Sequence, residues 1–323
     1  MKFGSSLFAS VLIAVLGSVQ AFAADSFPSK PIKVVDAWPA GGVVDVITRA
    51  VTQKLSEDWA TPLVVENKPG AYGLIGTEFV AKSAPDGYTW LIGTLGTPMS
   101  SSLYNKPWKA VERFAGVAIL ARSALLAVVP ADLPANSLRE FVALAKSEPG
   151  QLNYLNPSIG SASHLNVELI KAKEHIDVVS VPYNGQPPGV ADLLTGRLQF
   201  ALLAPQVAAP QIRAGKLKAL AVAFPTRIAA FPDLPTFAEA GYPYADVVAT
   251  YSILVPKQTP SDVVAKISAG VEKALKDPTV QKRIDAAAAE VASSVGPKQV
   301  DTFLKAETVR WEQFFREHSM NPK

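Results

Sequence analysis

PIKVVDAWPAGGVVDVITR, residues 31–49, decides the fold class of this chain. An apolar run over 32–37 predicts a buried strand, residues 39–42 predict a turn, and the pattern from Val43 predicts a helix. Such a junction directs unpaired backbone N–H groups and the positive end of a helix dipole to one point, where an anion can bind. Glycine turns also occur there for purely conformational reasons, so this stretch alone leaves both interpretations open.

Short apolar runs alternate with amphipathic helical segments along the chain, which is the pattern of βαβ units. No Ser/Gly-rich linker separates two halves, so two lobes would have to be joined by strands that cross between them, near residues 121–128 and 247–255. Such crossings leave a cleft that strand ends face from both sides. We predict strands near residues 32–37, 62–66, 88–93, 117–120, 124–129, 152–155, 177–181, 198–203, 217–223, 247–254 and 291–294.

The predicted fold class is therefore α/β, with two α/β lobes joined by crossing strands around a ligand cleft. We expect residues 24–123 and 249–323 to form lobe 1, and residues 124–248 to form lobe 2. Ser137 and Thr259 each precede an acidic residue by three positions. This capping-box spacing predicts that a helix begins at each of them.

Residues 1–23 have the features of a secretory signal peptide. Lys2 is followed by an apolar stretch over residues 7–19 and by Ala21-Phe22-Ala23, which fits a small-residue cleavage site. An apolar core of roughly a dozen residues is too short to span a bilayer comfortably. We predict cleavage before Ala24 and a periplasmic protein.

Composition excludes several classes of site. The 323 residues include no cysteine, which excludes disulfides, thiolate metal sites and a cysteine nucleophile. The formal net charge of +3 is too small to indicate nucleic-acid binding. No His, Asp or Glu grouping has metal-ligand spacing, and Gly70, Gly73 and Gly76 lack the spacing of a dinucleotide fingerprint. We expect a monomer without a metal or cofactor.

A second strand-to-helix junction runs from Asn156 through small polar residues to a helix near Leu165. The hydroxyls of Ser158, Ser161 and Ser163 would add donors to its backbone N–H groups, so this turn could hold a carboxylate or phosphate. Serine is also a common helix N-cap without any ligand, and that alternative stays open.

Tyr183 follows the strand predicted over 177–181 and is a further candidate. Its ring could pack on the apolar part of a ligand while its hydroxyl donates a hydrogen bond. It could equally lie in the core with its hydroxyl bonded elsewhere.

Eight segments, in order across nearly the whole chain, resemble the solute-binding receptors of tripartite tricarboxylate transporters, the Bug family. The segments are Pro28-Ser-Lys-Pro-Ile32, Trp38-Pro-Ala-Gly-Gly-Val-Val-Asp45, Val65-Glu-Asn-Lys-Pro-Gly-Ala71, Ala84-Pro-Asp-Gly-Tyr-Thr89, Gly160-Ser-Ala-Ser-His-Leu165, Val181-Pro-Tyr-Asn-Gly185, Ala214-Gly-Lys-Leu-Lys-Ala-Leu-Ala-Val222 and Leu234-Pro-Thr-Phe-Ala-Glu-Ala-Gly241.

The resemblance implies a type II periplasmic binding protein, whose two lobes close over a small carboxylate and deliver it to a membrane permease. It implies that residues 39–45 and 158–164 hold the carboxylates through backbone N–H groups, hydroxyls and waters. Asp45 would hold the loop or a water, because its own charge would repel the ligand. The predicted ligand-binding residues are Pro39, Ala40, Gly41, Gly42, Asp45, Thr94, Ser158, Ser161, Ser163, His164, Tyr183 and Gln206.

Two departures from the family pattern predict a less polar pocket. Ala40, Val43 and Val44 stand where proline, glycine and threonine are common in that family. Leu203-Ala204-Pro205-Gln206 stands where members often place Asp-Asn. We therefore expect a ligand with an aromatic or other apolar body and no ammonium group.

Two alternatives to a transport receptor remain. A periplasmic hydrolase could use His164 with a remote serine, although the neighbouring Ser163 and His164 side chains diverge at a helix start. A ligand-loaded receptor could also dock on a sensor protein in signalling. Both transport and signalling would use the same closed form.

Overall fold

The computed structural model describes residues 27–318, apart from residues 105, 107, 158, 159, 184, 288 and 293–295. The predicted signal peptide and the predicted site residue Ser158 lie outside the described residues.

Strands and helices alternate through the described part of the chain. The strands are β1 Ile32–Asp36, β2 Leu63–Asn67, β3 Thr89–Gly93, β4 Phe114–Ser123, β5 Leu125–Pro130, β6 Leu152–Asn156, β7 Val178–Pro182, β8 Phe200–Leu203, β9 Leu217–Ala223, β10 Ala249–Pro256 and β11 Ala289–Val291. The helices are α1 Val43–Trp59, α2 Leu74–Ala81, α3 Gly96–Leu103, α4 Ala110–Arg113, α5 Leu138–Ser147, α6 Ala162–Glu174, α7 Gln186–Leu194, α8 Pro205–Arg213, α9 Ser261–Leu275, α10 Pro278–Ala286 and α11 Pro297–His318, with a 3-10 turn at Ala71–Gly73. Each predicted strand overlaps an observed one.

The strands form two sheets, and the predicted α/β fold class with two lobes is confirmed. The first sheet has the order β11-β4-β10-β3-β1-β2 and the second has the order β7-β6-β8-β5-β9. β1 pairs in parallel with β2 and β3, and β6 pairs in parallel with β7 and β8. β5 and β10 run antiparallel to their neighbours, because the chain enters each sheet through them from the other lobe.

Two segments carry the chain between the sheets. Only Ala124 separates β4 in the first sheet from β5 in the second, and residues 224–248 carry the chain back from β9 to β10. The first crossing lies within the predicted residues 121–128. The second lies over residues 224–248, before most of the predicted stretch 247–255, which forms β10 of the first sheet. We keep residues 24–123 with 249–323, and residues 124–248, as the proposed bounds of the lobes.

A buried core fills the space beneath each sheet. β1 is buried at four of its five positions, as expected for a parallel strand covered on both faces. In the second lobe, Phe141 and Phe200 stack with ring centroids 4.2 Å apart. Trp311 of α11 and Met99 of α3 join the same core cluster, so the apolar core is continuous between the two lobes.

The two predicted capping boxes have different outcomes. Ser137 caps α5, since its Oγ accepts the Glu140 N–H at 3.1 Å. The prediction for Thr259 is wrong, because α9 has Pro260 as its N-cap and the Thr259 hydroxyl donates to the Pro256 carbonyl at 2.8 Å.

Candidate functional site

The first turn joins β1 to α1, and Asp45 holds it. Gly41 has a φ of +83°, a conformation that glycine adopts without strain. The Asp45 carboxylate accepts the Gly41 N–H at 3.0 Å, Arg49 Nε at 2.9 Å and Asn67 Nδ2 at 3.1 Å. Gly42 provides no side-chain cap, so N–H groups in the first turn of α1 stay available to an anion.

Two carboxyl groups beneath this turn differ in their pKa. Burial alone would raise the pKa of Asp45, but its hydrogen bonds from Arg49, Gly41 and Asn67 outweigh burial and lower it. Burial raises the pKa of Asp36 to about 7, against the opposing hydrogen bond from the Trp38 N–H. Asp36 Oδ2 has no hydrogen-bond partner among the described residues. The charge nearest the turn is therefore on Asp45, which faces donors of the protein.

The second turn joins β6 to α6 in the other lobe. Ser161 is the N-cap, and its Oγ accepts the His164 N–H at 3.2 Å. His164 Nδ1 accepts the Gly160 N–H at 2.9 Å, so it is the unprotonated nitrogen of a neutral ring. The Ser163 hydroxyl donates to the Leu202 carbonyl at 3.0 Å. The predicted divergence of the Ser163 and His164 side chains is thus observed.

The turn makes the protein sensitive to acid through His164. Burial lowers the pKa of His164 to about 4 from 6.5. The folded state therefore binds this proton less readily than the unfolded state, and stability is lost as pH falls from about 6.5 to about 4. Asp36 acts with the opposite sign, because its pKa is raised in the folded state. The effect of His164 must therefore be measured as a difference between variants.

His164→Asn is expected to gain stability relative to the wild type as the pH is lowered, by about 3 kcal/mol between pH 6.5 and 4. Asparagine offers an amide oxygen near the position of Nδ1 but does not titrate. Urea unfolding at several pH values measures the difference. His175→Asn is the control, since His175 is exposed and ends α6 with a φ of +55°, which asparagine tolerates. A difference independent of pH would contradict the role of His164.

A third helix terminus faces the same space. Thr94 follows β3, and its Oγ1 accepts the Gly96 N–H at 3.1 Å and the Trp38 indole N–H at 3.2 Å. The Thr94 N–H is bonded to Thr97 Oγ1 at 3.2 Å. Thr94 thereby ties the start of α3 to the first turn.

A cavity lies where the three helix termini meet. Its described lining is Trp38, Val44, Tyr72, Thr94, Leu95, Gly96, Ser161, Ala162, Ala249, Thr250 and Tyr251. The cavity among these residues has a volume of about 150 Å³. None of these lining residues is charged. Any anion at this cavity would therefore have to be held by helix termini and hydroxyls.

Aromatic rings form much of the cavity wall. Trp38 and Tyr72 meet edge to face, with centroids 5.3 Å apart and planes at 88°. Burial raises the pKa of Tyr72 and of Tyr251, so both phenols are neutral. The wall offers apolar surface beside the two strand-to-helix turns.

The structure places only some of the sequence-predicted residues at the cavity. Thr94 and Ser161 line the cavity, and Pro39, Ala40, Gly41 and Gly42 form the exposed turn between two lining residues, Trp38 and Val44. Asp45, Ser163, His164, Tyr183 and Gln206 are absent from the described lining.

The side chains of Tyr183 and Gln206 bond to other parts of the protein. The Tyr183 hydroxyl donates to Asp192 at 2.6 Å, and Tyr183 packs on the core around β8. Gln206 Nε2 donates to the Ala287 carbonyl at 3.1 Å. Contact of either side chain with a ligand would require these bonds to be exchanged.

Sequence reasoning missed Tyr72 and Tyr251. Tyr72 lies in a glycine-flanked turn that the sequence presented as a dinucleotide look-alike, and Tyr251 lies within a strand. An aromatic residue between two glycines, Tyr72 in Gly70–Gly73, is the one signal that could have indicated a ring presented by a turn.

The described part of the chain contains no group of three or more His, Cys, Asp or Glu side chains that could hold a metal ion. None of its helices is both long and apolar enough to cross a bilayer.

Comparison with known proteins identifies the family. The family model described as "Tripartite tricarboxylate transporter family receptor" matches residues 47–320. Protein BugT of Bordetella pertussis is 32% identical over 312 residues, which cover 95% of each chain. MatC from Rhodopseudomonas palustris with bound malate has a TM-score of 0.77 and 30% identity, covering 89% of this chain and 99% of its own. An R. palustris structure with adipate has a TM-score of 0.79 and 28% identity, covering 92% of this chain and 100% of its own. The chain therefore belongs to the family of tripartite tricarboxylate transporter receptors, the Bug-type solute-binding proteins.

Proposed function

We propose that this protein is a periplasmic receptor that captures a small carboxylate with an aromatic or other apolar body and delivers it to a tripartite tricarboxylate-type permease. The observation that carries the proposal is the meeting of the N-termini of α1 and α6, from opposite lobes, at an uncharged cavity with aromatic walls. Helix termini bind carboxylates without a cationic side chain. The remaining wall favours an apolar body.

The chemistry of the lining separates this ligand class from others. An ammonium group would need an anionic partner, and none of the described lining residues provides one. A tricarboxylate would need its further charges desolvated against Trp38, Val44 and Tyr251, which costs free energy without a compensating partner. Two solved relatives hold malate and adipate, which supports a small carboxylate as the common feature.

Calorimetric titration of the mature protein tests the ligand class. We expect benzoate-type acids to bind with micromolar affinity, about −8 kcal/mol, and at least tenfold more tightly than malate, citrate or glutamate. At 100 times the dissociation constant the ligand contributes about 2.7 kcal/mol of stability, which a thermal-shift screen detects. Tight binding of citrate or glutamate without binding of aromatic acids would refute the proposed class.

The proposal includes export and a binding role without catalysis. Mass spectrometry of the protein from a periplasmic extract should find Ala24 as the first residue, and the receptor should sediment as a monomer.

Catalysis has little support, because the Ser163 hydroxyl and His164 Nδ1 are bonded to different backbone groups. Conversion of a bound ligand to a detected product would overturn the receptor role.

Delivery to a permease can be tested in membranes. Vesicles that contain the cognate tripartite permease should take up the bound carboxylate only when the loaded receptor is added. Uptake that does not depend on the receptor would contradict delivery.

A further inference from the structure

Four successive residues in the turn before α2 have positive φ. The values are +124° at Gly70, +45° at Ala71, +55° at Tyr72 and +79° at Gly73. The left-handed region disfavours residues with a Cβ, so Ala71 and Tyr72 are strained. Strain of this kind persists where the surrounding structure holds the residue in place, and it is concentrated at functional sites.

The strained turn presents the Tyr72 ring to the cleft. The ring packs edge to face on Trp38. A Cβ built on Gly96 would lie 3.0 Å from Tyr72 Cε1. These contacts fix the ring against the first turn and the start of α3, on the side of the cavity that belongs to the first sheet.

The same ring meets the opposite lobe at Gly160. A Cβ built on Gly160 would lie 3.1 Å from both Cε1 and Cζ of Tyr72. Gly160 belongs to the second anion-binding turn, where its N–H is bonded to His164. The ring thus bridges the two turns that would hold the ligand.

The Tyr72 hydroxyl does not tie the side chain to the protein. It has no hydrogen bond to any other residue in the described ranges, whereas the hydroxyls of Tyr154, Tyr183 and Tyr244 each donate to a carboxylate. Tyr72 is also a lining residue of the cavity. The contacts of the side chain with protein are therefore made by its ring.

We propose that the Tyr72 ring is the specificity-determining contact that closes over the apolar body of the ligand. This inference rests on the proposed carboxylate-binding function and deepens it. When the second turn closes onto the Tyr72 ring, the part of the ligand against the ring loses its contact with water. A polar group of the ligand at that place would be left without a hydrogen bond, so the ligand body has to be apolar there. An aromatic acid meets that condition, and a hydroxylated acid such as malate does not.

The test compares the benzoate and malate affinities of four variants by calorimetry. Tyr72→Gly removes the ring and relieves the strain, and Tyr72→Asn removes the ring with a residue that also tolerates a left-handed backbone. Tyr72→Phe removes only the hydroxyl. Ala71→Gly is the matched control, because it relieves the neighbouring strained residue and keeps the ring.

Tyr72→Gly and Tyr72→Asn are expected to lose about tenfold in benzoate affinity with less than a threefold change for malate. Tyr72→Phe and Ala71→Gly should keep the wild-type ratio within threefold. A purely structural role of the turn would weaken both ligands equally in the Gly and Asn variants, and that result overturns the inference. A loss in Tyr72→Phe as large as in Tyr72→Gly also overturns it.

Failure of the inference is distinguishable from failure of the proposed function. If the wild type binds benzoate and the ratio stays unchanged in the Gly and Asn variants, the receptor function stands and the role of Tyr72 is wrong. If the wild type binds none of the carboxylates, the proposed function and the inference are both wrong.

Discussion

Gly160→Ala is expected to weaken carboxylate binding about 100-fold, since every 1.4 kcal/mol lost from the closed state is a factor of ten. The new Cβ would lie 2.7 Å from Met99 Cε and 3.1 Å from the Tyr72 ring. Both neighbours belong to the side of the cleft opposite Gly160. Met99 Cε ends a flexible side chain and can move aside, but the Tyr72 ring is held against Trp38. The lobes would therefore have to separate by a few tenths of an ångström, and the two turns would hold one ligand less well.

Gly196→Ala is the matched control for this variant. Gly196 has a φ of +73°, close to the +74° of Gly160, but no atom lies within 4 Å of its built Cβ. Both variants should lose about 1–2 kcal/mol of stability through the strained backbone. Only Gly160→Ala should lose affinity in calorimetry. Equal affinities of the two variants would show that Gly160 does not limit closure.

Asp45→Ala is expected to lose about 2 kcal/mol of stability and at least 30-fold in affinity, because one carboxylate accepts three hydrogen bonds that hold the first turn. Arg49 is half exposed, so water compensates part of the loss. The Gly41 N–H and one N–H of the Asn67 amide lose their acceptor, while Asn67 Nδ2 still donates to the Trp38 carbonyl at 3.0 Å. The turn would then have to be ordered by the ligand, at the expense of affinity.

Asp45→Asn separates geometry from charge in the same experiment. Its amide oxygen still accepts from Gly41, so affinity should fall less than in Asp45→Ala. The lowered pKa of Asp45 also makes the stability of the protein depend on pH. The stabilisation that ionised Asp45 provides is present above the pKa of the unfolded state, about 4, and is lost as pH falls through the pKa of the folded state. Both variants should lack this acid-dependent loss in urea unfolding. An affinity unchanged in Asp45→Ala would show that the turn needs no such support.

The fold was largely predictable because the signals that define it are local. The run over 32–37 and the helical period from Val43 mark β1 and α1 within a few residues of each end. The same patterns place the first crossing at residues 121–128, whereas the second lies before most of the predicted residues 247–255. The antiparallel direction of β5 and β10 was not visible, because it depends on the side from which the chain enters each sheet.

The sequence predicted those parts of the candidate site that consist of backbone turns, but few of the side chains that line the cavity. The turns at residues 39–42 and 160–164 show in the sequence through glycine and serine. Tyr183 and Gln206 also had suitable chemistry, yet their hydrogen bonds to Asp192 and Ala287 could not be foreseen. For Gln206 that partner is distant in the chain, and no local pattern reports it.

The sequence by itself determined the two-lobed α/β fold, the first crossing and two strand-to-helix turns, since hydrophobic period and glycine conformation act over a few neighbouring residues. Only the tertiary structure decided which side chains face the shared space. Tyr72 and Gly160 lie in different lobes and meet through the packing of whole sheets. The polarity of the cavity depends on that packing, because a side chain's surroundings are set by elements distant in the chain.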